Sequence, residues 1–186
     1  MRRKFVLAML AMALPFGLAV TMGIGPATAR ANTTGTGTYN CSKLIGTISF
    51  NPPLTFTAKI ETTTVSATAS TCKGGHPVPV SATSKSTTKG TKPSSCTTLQ
   101  TATTAVKFTT TYNPVVTPST FTGTAKGGSS GSTAFFNVTG KVTGSYPSTT
   151  AKAHAVIKQT VAQIAAMCTG TGIKTLNIAS GTVTAN

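Results

Sequence analysis

Phe136-Asn137-Val138-Thr139-Gly140-Lys141-Val142-Thr143-Gly144-Ser145-Tyr146 alternates between an apolar residue or glycine and a polar one at every step. A period of two is the mark of a half-buried β-strand, because successive side chains leave a strand on opposite faces. Phe136, Val138, Gly140, Val142, Gly144 and Tyr146 share one face. Aromatic residues stand at both ends of that face and glycines in its middle, which predicts close backbone approach or strong twist there.

The same period recurs on either side. Val106, Phe108, Thr110 and Tyr112 alternate with Lys107, Thr109 and Thr111. Leu54, Phe56, Ala58 and Ile60 alternate with Thr55, Thr57, Lys59 and Glu61, which predicts a strand across them. Val65, Ala67 and Ala69 follow on the opposite parity, so a turn or bulge is expected near residues 61–64. Further strands are expected over 150–158, through Leu176-Asn177-Ile178 and through Thr182-Val183-Thr184. Pro52-Pro53, Gly74-Gly75, Lys92-Pro93, Asn113-Pro114, Gly127-Gly128 and Tyr146-Pro147 punctuate these runs and read as turns. Thr is the commonest residue, and β-branched side chains suit strands. Many short strands at this spacing predict an all-β domain, an antiparallel β-sandwich that is Ig-like or related. The phased apolar positions and the paired cysteines argue against a disordered Ser/Thr-rich chain.

One helix is predicted. Thr160-Val161-Ala162-Gln163 is a capping box, in which the Thr hydroxyl and the Gln amide each satisfy a free backbone N–H. Val161, Ile164, Ala165 and Cys168 then fall on one face, and Gly170 or Gly172 supplies a stop. The helix is expected to lie on the sheet with Cys168 inward.

Residues 1–31 have the three parts of a secretory signal. Arg2, Arg3 and Lys4 form a basic start, Phe5 to Val20 an apolar run, and Ala27-Thr28-Ala29-Arg30-Ala31 two overlapping A-x-A sites. Cleavage is expected after Ala31 or Ala29. Pro15, Gly17, Gly23, Gly25 and Pro26 interrupt the run, against the ~20 apolar residues of a retained span. The remainder, 32–186, is expected to be a single β-domain, secreted or held in the cell envelope, with no membrane span once the signal is removed.

Export gives the cysteines their meaning. Cys41, Cys72, Cys96 and Cys168 form no C-x-x-C pair, and an even count in an oxidising compartment reads as two disulfides. Three connectivities are open. Cys41–Cys72 with Cys96–Cys168 is preferred, because each bridge then stays within one half of the chain.

Charge narrows function further. Four of the 16 Lys and Arg lie in residues 1–31, which leaves 12 Lys, no Arg, and a single acid, Glu61. A net charge near +11 on the remainder favours polyanions. Lys85, Lys89 and Lys92, with Lys73, form the candidate polyanion-binding residues. Bidentate phosphate and base recognition leans on Arg, so specific nucleic-acid readout is not expected.

The remaining chemistry is sparse. A glycosidase pair needs two carboxylates and a Ser-His-Asp triad needs an acid beside its His, and Glu61 is the only acid present. No nucleotide-binding loop occurs. His76 reads as an exposed turn residue beside a cysteine, and His154 as a surface residue sharing a strand face with Lys152. No catalytic residue, metal site or cofactor is therefore expected.

Cys41 with Gly46-Thr47-Ile48-Ser49-Phe50-Asn51-Pro52-Pro53-Leu54, a late Gln163-Ile164-Ala165-Ala166-Met167-Cys168, and a closing Gly172-Ile173-Lys174-Thr175-Leu176-Asn177-Ile178 with Ala179-Ser180-Gly181-Thr182-Val183-Thr184 resemble a group of small secreted actinobacterial proteins. The resemblance spans the chain beyond the signal. It implies a β-rich fold and an envelope or culture-fluid location, and it carries no catalytic residue. The expected function is that of a non-enzymatic secreted or envelope protein adsorbing to anionic cell-wall polymer through Lys. The alternative is an adhesin-like or structural module binding a glycan or another envelope protein through loops.

Overall fold

The computed structural model describes residues 33–186, so the expected signal segment, residues 1–31, lies outside the described residues. Eight strands and one helix follow in order: β1 (Thr36–Leu54), β2 (Thr62–His76), β3 (Ser81–Lys89), β4 (Thr103–Asn113), β5 (Ser119–Ser130), β6 (Thr133–Thr143), β7 (Ser148–Thr160), α1 (Val161–Thr169) and β8 (Ile173–Ala185). Each strand pairs antiparallel with its neighbour in sequence, and β8 returns to pair with β1, so the sheet is a closed barrel.

The expected β-sandwich is therefore corrected to an eight-stranded barrel. Alternation marks an inward face in either architecture, so the period of two does not distinguish them. The deciding contact is β1 against β8, from Tyr39↔Ala185 to Leu54↔Ile173. β1 is 19 residues long and pairs along its other edge with β2 from Thr36↔His76 to Asn51↔Thr62. With both edges of β1 occupied, no open edge remains there for a second sheet, and closure removes the edge-strand liability.

Other local expectations shift as well. The strand expected over Leu54 to Ile60 stops at Leu54. Residues 55–61 form the β1–β2 loop, leaving Phe56 and Ile60 about half exposed at 53% and 50%. The slip in parity is thus a whole loop, with β2 beginning at Thr62. Pro52-Pro53, Gly74-Gly75 and Gly127-Gly128 lie within strands. The two strands expected near the C-terminus are one, β8, with a register shift between Val156↔Ser180 and Ile157↔Ile178 that leaves Ala179 as a bulge.

The helix forms where its capping box stands. Gln163 N–H donates to Thr160 Oγ1 at 3.2 Å, and Thr160 N–H to Gln163 Oε1 at 2.9 Å. Ile164 and Cys168 are buried, whereas Ala165, expected on the same face, is exposed. The disulfides are Cys41–Cys72 and Cys96–Cys168, with no free cysteine among the described residues. The first joins paired residues of β1 and β2. The second ties the β3–β4 loop, residues 90–102, to α1. Two such bonds are consistent with an oxidising, extracellular location.

The outward face carries Thr, Ser and Lys. Thr68 and Thr83 hydroxyls meet across β2 and β3 at 3.2 Å, and Thr64 and Thr87 at 3.4 Å, so the β-branched residue that favours strands also laces them together. Every lysine of the described residues is exposed. This polar wall differs from the apolar band that lipid-facing barrel strands present. No described helix is long and apolar enough to cross a membrane.

Candidate functional site: the barrel interior

An eight-stranded barrel encloses just enough room for side chains to fill, or for one small ligand. Here the inward positions are unequal. Leu44, Ile48, Phe50, Leu176 and Ile178 from β1 and β8 are large and buried. Many inward positions of β2, β3, β5 and β7 are small, Ala67, Ala69, Ala82, Ala125, Ala153 and Ala155, beside the larger Val65 and Phe121. Glycine takes two more places, Gly123 paired with Gly140 between β5 and β6, where the Phe121 ring sits over both and would meet an added Cβ at 2.8 and 2.6 Å. With so many small inward residues, the interior is left unfilled. The result is a cavity of about 260 Å³ with a largely apolar lining.

The end at which β1 begins, the lower end, is closed by aromatic packing. Tyr39, Tyr112 and Tyr146 meet edge to face, with ring centroids 6.2, 5.2 and 4.8 Å apart. Their polar tips are occupied. Tyr112 Oη donates to Ser119 Oγ at 2.9 Å, Ser119 Oγ donates to the Ser145 carbonyl, and Tyr146 Oη donates to the Pro77 carbonyl at 2.5 Å. Tyr146 holds φ of 50°, and its ring lies against Gly35 and Gly75, where a side chain would collide with it. Burial pushes all three phenols above their ordinary range, so they stay neutral at physiological pH.

The upper end is crossed by the β3–β4 loop. Cys96 N–H donates to the Thr55 carbonyl at 2.9 Å, and Lys59 and Ser94 form a two-way backbone bridge. The Leu99 backbone lies directly over Gly127, and the Cys96–Cys168 bond adds the helix. Ser94, Ser95, Thr98 and Leu99 thus roof the cavity. Glu61 is buried in this roof, 8% exposed. Burial raises its carboxyl above the usual range, while hydrogen bonds from Ser94 and Thr63 act in the opposite direction.

The wall is incomplete in one place. β3 and β4 pair only from Ser81↔Asn113 to Lys85↔Thr109. Above that point β3 continues through Ser86–Lys89 and β4 through Thr103–Phe108 with no partner across the seam, leaving a slot. The last inward pair below it is tied by Ser84 Oγ and Thr110 Oγ1 at 2.8 Å. Inward residues near the slot, Ser86, Thr88, Val106 and Phe108, are half-buried, as are Phe121, Ala125, Phe136 and Val138 elsewhere around the cavity. One flank of the slot carries hydroxyls and the other apolar side chains.

The lysines expected as a polyanion patch are divided by the fold. Lys85 and Lys89 stand on the outward face of β3 beside the slot, and Lys92 follows in the loop. Lys73 does not join them. Ser66 pairs with Lys85, and Lys73 lies seven residues further along β2, roughly 23 Å at strand rise. Lys107, which the sequence did not single out, takes its place on the opposite flank. His154 faces outward with Lys152 and bonds Asn137 Oδ1 through Nδ1 at 2.8 Å, and His76 is exposed at the end of β2. Among the described residues no three His, Cys, Asp or Glu side chains gather as a metal site.

Comparison with family models, with curated proteins and with solved structures found no match to this chain.

Proposed function

We propose that this protein is an exported, non-enzymatic binding protein, in the cell envelope or secreted from it, that holds a small apolar molecule inside its barrel. The observation that carries this reading is the unfilled, apolar interior of about 260 Å³ in a barrel whose two ends are covered. An apolar surface left without packing partners forfeits dispersion contacts that a ligand would supply. The volume lies near the lower bound of ~300–1,000 Å³ typical of ligand pockets, so one narrow molecule fits better than a bulky one. The lining supports binding over catalysis: its one ionisable acid, Glu61, stands among hydroxyls with no histidine beside it.

The test is to fill the space. Ala125 lines the cavity from β5 and is half-buried, so a larger side chain there occupies void instead of displacing neighbours. Ala125→Leu is expected to lower the affinity for a neutral fluorescent probe, N-phenyl-1-naphthylamine, about ten-fold while leaving the melting temperature within about 2 °C. Unchanged probe affinity in a folded variant would overturn the reading.

A second reading, adsorption to anionic cell-wall polymer, is favoured by the gathering of Lys85, Lys89 and Lys107 at one seam on a surface without acids. It concerns the outer face and is compatible with the first.

A further inference from the structure

We infer that the β3–β4 slot is the entrance for a free single-chain amphiphile with an anionic head, its chain in the barrel and its head on the lysine rim. The inference rests on the reading of the interior as a ligand site and adds the ligand's class and orientation.

Register places the rim. Lys85 is opposite Thr109 in the last bonded pair below the slot. Lys107, two residues beyond Thr109 on the same outward face, stands diagonally across from Lys85 where the ladder ends, farther than the roughly 7–8 Å of a paired ladder. Lys89 stands four residues up the facing flank. All three are exposed, and at Lys89 β3 is paired with Thr62 of β2 but has no partner on its β4 side, so the charges border the opening itself. The only acidic side chain of the chain, Glu61, is buried in the roof, so no carboxylate neutralises them. Three like charges around one opening repel each other, and an anion seated between them relieves that repulsion.

The interior sets the rest of the ligand. Behind the rim stand Val106 and Phe108, then Phe121 and Ala125, a continuous apolar path inward. About 260 Å³ accommodates one hydrocarbon chain better than two. The head must stay outside, because Glu61 in the roof would meet an anion drawn fully inward with a second carboxyl in an apolar setting. The ligand is therefore oriented: tail toward the tyrosine floor or the roof, head at Lys85, Lys89 and Lys107.

Displacement of bound N-phenyl-1-naphthylamine by dodecanoate, 1-dodecanol and dodecylammonium, each below its solubility or micelle limit, separates the alternatives. Dodecanoate is expected to displace the probe at the lowest concentration at low ionic strength. Lys85→Gln/Lys107→Gln should weaken dodecanoate about five-fold, as exposed charge contacts of this size do, with a smaller change for dodecanol. Lys73→Gln, far from the slot, should change neither. About 0.5 M salt should shrink the anion's advantage in the unaltered protein. Equal displacement by dodecanoate and dodecanol would overturn the head-group assignment while the cavity reading stands, and so would preference for dodecylammonium. Co-sedimentation with anionic vesicles that the double substitution abolishes, with dodecanoate binding intact, would also overturn it by assigning the lysines to a membrane surface. Failure of the neutral probe and dodecanol to bind at all would remove the cavity reading itself.

Discussion

Glu61 is the residue at which composition and structure meet. It is the only acidic side chain, and it is buried under the loop that roofs the cavity. Desolvation favours its neutral form, so its folded-state value lies above the unfolded one. The native state then binds more protons than the unfolded state between those two values. The stability this gives is fully present below the unfolded value, near pH 4, and is lost as pH rises through the folded value. Glu61→Gln replaces the carboxyl with a permanently neutral group of the same shape. Melting temperatures measured for both proteins from pH 3.5 to 7 should coincide at the acid end and separate toward neutrality, with the variant more stable. A constant difference across that range would mean that the carboxyl is not desolvated. No other Asp or Glu contributes to the difference, and the two histidines cancel in it. From the sequence, Glu61 could be seen to be unique but not to be buried. Its alternation with Thr57 and Lys59 assigned it to a polar strand face. In the protein those residues are a loop, and a loop has no faces.

Among the elements, the disulfides divide the work unequally. Cys41 and Cys72 are partners in the β1–β2 ladder, which holds them together with or without the bond. Cys96 and Cys168 join a loop to a helix across a sequence separation of 72, against 31 for the first pair. The chain-entropy model assigns the longer closure about 4.4 kcal/mol and the shorter about 3.7. Context widens that gap, because few other backbone bonds hold the roof to the β1–β2 loop: one from Cys96 N–H to Thr55, one from Gly90 N–H to the Glu61 carbonyl and the bridge from Lys59 to Ser94. Cys96→Ala/Cys168→Ala is expected to destabilise the protein more than Cys41→Ala/Cys72→Ala in denaturant titrations. It should also release amide protection across residues 94–102. Equal losses, or a protected loop, would show that packing of Leu99 holds the roof without the bond. The same elements show what was legible in the sequence. β4, β6 and α1 carry their own signals: strict alternation, and Thr160 with Gln163 at capping distance. β3 and β5 carry little signal, since Ser81–Lys89 has Ser and Thr on both faces and Ala82 as its one apolar residue, and Ser119–Ser130 has glycines at inward positions beside Phe121. A strand whose inward residues are Ala, Ser and Gly has no apolar phase to detect, and those residues are also what empties the cavity. The site was therefore hidden for the same reason that it exists.

At the scale of the whole molecule, closure turns a sheet with one polar face into a body with an apolar inside and a Thr- and Lys-covered outside. Alternation is visible along each strand, but closure is set by pairing between the first strand and the last, a contact between Tyr39 and Ala185 that no local pattern encodes. The inside and the outside then answer to different forces, and this separates the two binding modes by experiment. The outer field comes from exposed lysines around the barrel with no exposed acid to offset them. Adsorption of such a body to an anionic wall polymer acts over a Debye length, which falls from ~10 Å at 0.1 M salt to ~3 Å at 1 M. Binding to purified cell-wall fractions should accordingly be lost across that range. In the interior the driving force is apolar burial, which salt does not weaken. Affinity for the neutral probe should hold constant or rise over the identical salt series. Wall binding that survives molar salt would show that the lysines do not drive it. A neutral probe released in parallel with the wall polymer would show that both occupy one surface. Opposite responses of the two ligands to one variable are what a barrel with a charged exterior and an unfilled apolar interior requires.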